Sequence, residues 1–496
     1  DRILQGKEVT ITVADTDGSP VEGAEISKTE TGELVGTTDA EGKLVTDAFS
    51  AEAGSTVIVA KKGEEYSFEF SVYGAQGDET GKPDGIRFNV TEDPATQKSI
   101  GWLSSPVAEG KQVIRYAVKG SDAWTTVDAE GEQVYFSKNG NSSAIVNSVV
   151  LEGLAPETTY EFTVGTEGAM SDTREFTTSA ADPTSHSFFV IDQDRTNIET
   201  IIEQLGAGSY DFGAQTGDAS DDPTLYEDWP VLGNLFGDPN LKGTEVISVL
   251  GNHEYTGDAD GSIASTIYHN DTTAPGSCWS VQYGDLYIAV MNYANNAAQM
   301  REAAAWLEQD ANASHAKWRI LFTHQPPYFT NATGGNDIVY EVLPDAIDAA
   351  GIDAVFSGHD HSATRTNPLK AGEKNEKGTV YYICGSTGGK EYSITSQGTF
   401  DYDKIFALAT IDYSATYLTA SVSGDTMTIN INDVDRGVID SFEIESKCHA
   451  PQFDVETGSV SCARCGRAIK NYTGSIKDAD GNSYYFLNGK MQIGWV

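Results

Sequence analysis

The sequence predicts a multidomain chain: two β-sandwiches in front, a layered α/β domain behind them, and a small cysteine-containing module last. Three observations carry that prediction. Over residues 1–182, apolar and polar residues alternate in short runs broken by Asp-Gly, Glu-Gly and Gly-Ser-Pro turns, the pattern of strands and hairpins. From about residue 183, short apolar runs alternate with stretches of helical period, as in layered α/β domains. Three of the five cysteines then fall within the last fifty residues. At 496 residues the chain exceeds what one core serves, so several domains are expected.

The elements follow in order. In residues 1–90, "VTITVADTDGSPVEGAEI", "TTDAEGKLV" and "STVIVAKK" read as strands of a first sandwich. It resembles the carboxypeptidase-regulatory or Cna-B type of bacterial surface proteins, and a spacer role is expected. In residues 91–182, "VVLEGLAPETTYEFTV" places Leu151, Leu154, Pro156 and Tyr160 as fibronectin type III modules do. That resemblance implies a Tyr160 hydroxyl bonded back across the corner and Trp102 in the core. Within residues 183–446, "FFVI", "FGAQT", "EVISVL", "LYIAVMN", "WRILFT", "DAVFS" and "TVYYIC" are candidate strands. Ile198, Ile201, Ile202 and Leu205 share one helical face, with Gly206 placed as the stop. Further helices are expected at 297–310 and 337–350, and strands again beyond about residue 404. Residues 447–496 form the last module.

Charge narrows the function. There are 32 Lys and Arg against 74 Asp and Glu, a formal net charge of −42. Such a surface repels nucleic acid and anionic membranes. No apolar run reaches the length of a membrane span. Phosphate substrates are repelled as well, so phosphate chemistry here requires a strong local positive charge, and bound metal ions are its natural source. Composition and sandwich content point to a secreted or cell-wall-associated protein. Opening at Asp1 without an apolar leader, the chain is expected to be either a trimmed mature form or an excised piece of a longer protein.

Five signals in the third domain each follow a candidate strand: Asp192, Gly217-Asp218, Gly251-Asn252-His253-Glu254, His324 and Gly358-His359-Asp360-His361. The carboxyl ends of strands in a layered α/β fold share one rim, so all five can converge there. Carboxylate, amide oxygen and imidazole together suit borderline divalent metals and Fe(III). A carboxylate such as Asp218 can bridge two ions roughly 3.5–4 Å apart. Glu254 reads as a partner that orients a ligand. Tyr255, Tyr328 and Arg365 are weaker candidates for substrate contact, with packing the plainer reading. A lone histidine is commonly structural, but four of the eight histidines lie inside these motifs.

The motifs resemble those of the calcineurin-like metallophosphoesterase superfamily, in its purple-acid-phosphatase-like branch, over about residues 185–445. Four of the five family motifs match in order, and a fibronectin-like domain ahead of the catalytic domain is typical of that branch. The resemblance implies a four-layer αββα domain holding two metal ions among Fe, Zn and Mn. One ion would take Asp192, Asp218 and His361; the other would take Asp218, Asn252, His324 and His359. Phosphate mono- or diesters would be hydrolysed by a metal-activated water, with Asp218 bridging and His253 stabilising the phosphoryl oxygens or protonating the leaving group. Two departures stand out. Asp194 occupies a position where many members carry His, and Asp221 stands where purple acid phosphatases place a metal-binding Tyr. Both are possible ligands, and no Fe(III)–tyrosinate chromophore is expected. Other readings are a surface glycan-binding adhesin with a weakened phosphoesterase domain, or a nucleotidase.

The tail offers Cys448, His449, Cys462 and Cys465, a set suited to structural zinc, with a disulfide as the alternative. Cys278 and Cys384 read as buried small residues. "YYFLNGKMQIGW" resembles the choline- or glucan-binding repeats of Gram-positive surface proteins, implying a cell-wall polysaccharide partner. Arrays of such repeats need several copies, so the chain is expected to continue beyond Val496.

Overall fold

The computed structural model describes residues 2–4, 8–49, 54–67, 69–75, 82–106, 110–138, 142–181, 183–192, 196–269, 278–293, 296–331, 336–396, 399–447, 451–463, 469, 472–478 and 481–492.

The first sandwich has a small core. Ile26, Phe49 and Ile58 are buried against Val9, Ile11, Val35 and Leu44. The second is built from two larger sheets. In one, Asp84–Asn89, Lys98–Ser104, Ser142–Leu151 and Glu130–Phe136 lie side by side. This sheet therefore begins ahead of residue 91. Trp102 is fully buried, and its indole N–H donates to Gln112 Oε1 at 2.8 Å. The Tyr160 hydroxyl accepts the Ala155 N–H at 2.9 Å, closing the corner that the sequence implied. We expect Tyr160→Phe to cost about 1 kcal/mol, because Ala155 loses its acceptor in a half-buried corner; urea unfolding of the second module checks it.

The third domain stacks two sheets. One runs Glu245–Ser248, Phe212–Gln215, Ser185–Ile191, Thr416–Ser423, Thr426–Asp433, Gly437–Glu445. The first three pair in parallel and the rest are antiparallel. The other sheet carries Leu286–Met291, Trp318–Thr323, Ala354–Ser357 and Val380–Cys384 as parallel neighbours at its centre. Between the sheets lie Phe188, Val190, Phe212, Ile247, Phe322, Phe356, Tyr382 and Leu418. Outside, helices Ile198–Leu205, Asp228–Phe236 and Ser262–Tyr268 cover one sheet, and Ala297–Ala313 and Asn336–Ala350 the other. This is an αββα arrangement. It explains why "FFVI" is apolar throughout: Phe188 and Val190 face the second sheet while Phe189 and Ile191 face helices.

The four apolar residues expected on the first helix face are all buried. Gly206, however, stays right-handed at φ −59°. It is there for space, since a Cβ would stand 3.0 Å from Asn240 Cβ. Helix Ala297–Ala313 starts at Asn296, whose Oδ1 accepts the N–H groups of Ala298 and Gln299 at 3.0 and 3.1 Å.

The second sandwich packs on the catalytic domain. Leu103, Val134, Phe136 and Val146 share a core with Trp229, Phe236 and Tyr268. At the seam, buried Glu245 accepts from Thr91 N–H at 3.1 Å and the Tyr283 hydroxyl at 3.0 Å, with Lys98 Nζ 3.3 Å away.

The last module holds a hairpin, Pro451–Asp454 with Ser459–Cys462, and a three-stranded sheet around Ile476 and Phe486. Cys462 is buried. Cys448, His449 and Cys465 lie outside the described residues, so the zinc set expected there does not enter the structure's description.

Candidate metal centre

The five motifs sit at the carboxyl ends of five parallel strands, at the end of both sheets. Asp192 follows Ser185–Ile191 and Asp218 follows Phe212–Gln215. Asn252 follows Glu245–Ser248, His324 follows Trp318–Thr323, and His359 and His361 follow Ala354–Ser357. Each ligand comes within four residues of its strand's end, where the chain turns over the sheet edge. Asp218, His359 and His361 all adopt left-handed φ, at 57°, 69° and 46°. Such conformations cost a non-glycine residue about 1–3 kcal/mol and cluster at functional sites.

The glycines of the motifs are there for close approach. A Cβ on Gly358 would fall 2.1 Å from Asp192 Oδ1, and one on Gly251 would fall 2.2 Å from Asp218 Oδ1. A Cβ on Gly217 would lie 2.4 Å from His324 Nδ1. Three backbones are thus pressed against three ligands.

The ligand atoms of Asp218, His324 and His359 lie within 4.8 Å of one another. His324 Nε2 is 3.1 Å from Asp218 Oδ2, 3.2 Å from Asn252 Oδ1 and 3.2 Å from His359 Nδ1. Its other nitrogen, Nδ1, donates to the Thr216 carbonyl at 2.8 Å, which aims Nε2 at that cluster. His361 is fixed likewise: Nδ1 donates to the Lys390 carbonyl at 3.2 Å and the ring packs on Tyr392, centroids 4.5 Å apart. Asp192 Oδ1 accepts the Thr216 hydroxyl at 2.7 Å.

The electrostatics fit a cation. Burial works against charging either partner, yet His324 holds Asp218 down to about 2 and Asp218 lifts His324 to about 9. Burial and the neighbouring His324 push His359 down to about 3. In the metal-free chain a proton therefore sits among a carboxylate, an amide oxygen and a neutral imidazole. A divalent ion held by Asp218, Asn252, His324 and His359 would take the place of that proton, with the carboxylate and the His359 imidazole already in their coordinating forms.

Glu254 builds the frame. Its carboxylate accepts the N–H groups of Asp218 at 2.8 Å, Gly251 at 2.7 Å and Ser220 at 3.0 Å. Burial, then Asp218, raises its pKa to about 7, while these donors favour its ionised form. Glu254→Gln turns one acceptor oxygen into a donor facing backbone N–H groups. We expect a 10–100-fold loss of metal affinity, measured by metal titration, with an unchanged far-ultraviolet circular dichroism spectrum.

His253 stands at the mouth, about one third exposed. Its backbone N–H donates to Asp218 Oδ1 at 2.8 Å, and its ring Nδ1 meets the Asp221 carbonyl at 3.1 Å. Nε2 then faces inward, 4.0 Å from Asp218 Oδ2. The Asp221 side chain is 85% exposed and lies 4.0 Å from the His253 ring, outside the cluster formed by Asp218, His324 and His359. What it contributes here is its carbonyl, which meets His253. Asp194 lies outside the described residues.

The weaker candidates resolve as packing. Tyr328 is buried among Tyr340, Tyr381 and Phe400. Arg365 forks onto Asp440 at 2.6 and 3.0 Å, and Tyr255 packs on Tyr293. Sequence reading missed Thr216, which serves two ligands, and Asp360, whose carboxylate anchors the His359–His361 loop by accepting the N–H groups of Thr330 at 2.5 Å and Asn331 at 3.0 Å. Their only signal was a place inside "QTGD" and "GHDH".

A layered αββα domain with this donor set defines a class: the third domain is that of a calcineurin-like metallophosphoesterase, and residues 185–363 match the calcineurin-like phosphoesterase family. Residues 83–178 match the N-terminal domain of purple acid phosphatases, which supports that branch, and the phosphoesterase-domain match with the relatives below supports a metal-dependent phosphoric ester hydrolase. It is 24% identical to purple acid phosphatase 23 of Arabidopsis thaliana over 339 residues, 58% of this chain and 72% of that one. With purple acid phosphatase 22 of the same plant it shares 22% identity over 312 residues, 58% and 67% of the two chains. A purple acid phosphatase from yellow lupin (Lupinus luteus) seeds has a similar fold, with a TM-score of 0.60 over 81% of each chain at 13% identity.

Proposed function

We propose that the chain hydrolyses phosphate mono- or diesters at a dinuclear metal site held by Asp192, Asp218, Asn252, His324, His359 and His361. The observation that carries this reading is His324 Nε2 facing three further ligand atoms within 3.2 Å while Nδ1 is tied to the Thr216 carbonyl. Bound metal at such a site supplies positive charge to the phosphoryl oxygens and lowers the pKa of water to about 7. The chain supplies the rest. Asp218 is the carboxylate that both ligand sets of this reading share, and its Oδ2 lies 3.1 Å from His324 Nε2. Backbone strain and the glycine contacts hold the donors in place before substrate arrives, so no reorganisation is needed during reaction. His253, fixed by the Asp221 carbonyl, presents Nε2 to the leaving group and can hold or deliver a proton there. Action outside the cell is the companion proposal, resting on the acid-rich surface and the tandem sandwiches.

The test is hydrolysis of a chromogenic phosphate monoester and its diester after loading with Mn, Zn or Fe. Turnover of either that disappears in His359→Ala supports the reading. Equal turnover in His359→Ala contradicts it.

A further inference from the structure

The seam between the second sandwich and the catalytic domain holds a buried cation with no anion beside it among the described residues. Arg87 and Asn89 lie on strand Asp84–Asn89, whose other residues Ile86 and Phe88 fill the sandwich core. Alternation along the strand turns Arg87 and Asn89 to the opposite face, toward the catalytic domain. Leu103 on the neighbouring strand faces the same way and packs with Trp229 and Tyr268. Arg87 is 3% exposed and Asn89 5%.

The guanidinium is poorly satisfied. Nη1 reaches only the Gly85 carbonyl, at 3.4 Å. Nε and Nη2, the two donors of its forked edge, have no hydrogen-bond partner, and neither does Asn89 Nδ2. Among the described residues no carboxylate pairs with Arg87, in a chain of net charge −42. Burial lowers the Arg87 pKa only to about 10, so the group stays charged at neutral pH.

Two of these donors, Arg87 Nη2 and Asn89 Nδ2, are brought together over a glycine. Gly101 is the cross-strand partner of Arg87. A Cβ there would lie 3.0 Å from Arg87 Cζ and Nη2 and 3.2 Å from Asn89 Nδ2. The guanidinium and the amide therefore lie over one bare patch of backbone. Tyr268, near enough to act on the guanidinium electrostatically, also lines a cavity of about 120 Å³ with His269 and Trp279. Trp279 Nε1 is a further buried donor without a partner.

A buried fork of donors carrying one positive charge calls for a small acceptor carrying one negative charge. We propose that Arg87 and Asn89 form an interdomain site for a small monovalent anion, a halide or a two-oxygen oxyanion, bound at the free Nε/Nη2 edge and Asn89 Nδ2. The anion fastens the sandwich to the catalytic domain and lies apart from the metal centre.

Thermal unfolding of the full metal-loaded chain tests this. Ionic strength is held constant with sodium gluconate while chloride, nitrate or formate replaces it. Binding to the folded form raises the midpoint saturably, by about 2–4 °C. Chloride acting alone identifies a halide site, and nitrate and formate acting alone identify an oxyanion site. Arg87→Met should abolish the rise. A rise that persists in Arg87→Met, or none with any of the three anions, overturns the proposal. Should Arg87→Met fail to fold, Asn89→Leu should diminish the rise, and crystals grown in bromide and in nitrate decide: an anion between Arg87 and Asn89 in either supports the site, and water alone there in both refutes it.

Discussion

Asp218→Asn is expected to reduce turnover at least about 10³-fold, roughly 4 kcal/mol of transition-state stabilisation. The residue is buried and its carboxylate lies 3.1 Å from His324 Nε2. The amide removes the charge that holds His324 and weakens any ion shared between the two ligand groups. It can still accept from the His253 N–H, which Oδ1 does at 2.8 Å. The backbone N–H that bonds Glu254 is untouched by the change. The protein should therefore unfold in the same cooperative transitions as the parent while turnover is lost. A variant that keeps more than a tenth of the parent turnover would remove Asp218 from its central role.

Gly358→Ala should be nearly as damaging, although it adds only a methyl group. The new Cβ would stand 2.1 Å from Asp192 Oδ1 and 2.8 Å from Thr216 Oγ1. Neither is the end of a flexible chain: Asp192 is a buried ligand candidate and Thr216 orients it. Either Asp192 turns away or the His359–His361 loop lifts, and in both cases the donors separate. We expect at least a 100-fold fall in kcat/KM, about 2.7 kcal/mol, together with weaker metal retention on dialysis. Wild-type activity and metal content in Gly358→Ala would show that the close packing of this loop on Asp192 is not required.

These two residues show how much the sequence discloses. Strand–ligand alternation was legible because each motif ends an apolar run, and a parallel sheet puts all such ends on one rim. The αββα order was implied by resemblance, and the continuous burial of "FFVI" and "WRILF" between two layers gives it a physical basis. Residues acting through space were not legible. Nothing in "QTGD" marks the Thr216 carbonyl as the acceptor that orients His324, a residue far along the chain. Nor was it legible that the Asp221 carbonyl would meet His253 Nδ1 while its side chain stayed largely exposed. The seam was equally hidden. Nothing in the sequence marks Lys98, Arg87 and Glu245 as buried, and only the packing of two domains against each other encloses them.

The measurement that tests the account most directly is the metal content of the purified chain alongside its turnover of a phosphate ester, before and after chelation, with His359→Ala in parallel. About two ions per chain, lost with turnover on chelation, both restored on reloading, and both reduced in His359→Ala, is the predicted result. Full turnover by the chelated, metal-free chain would contradict it.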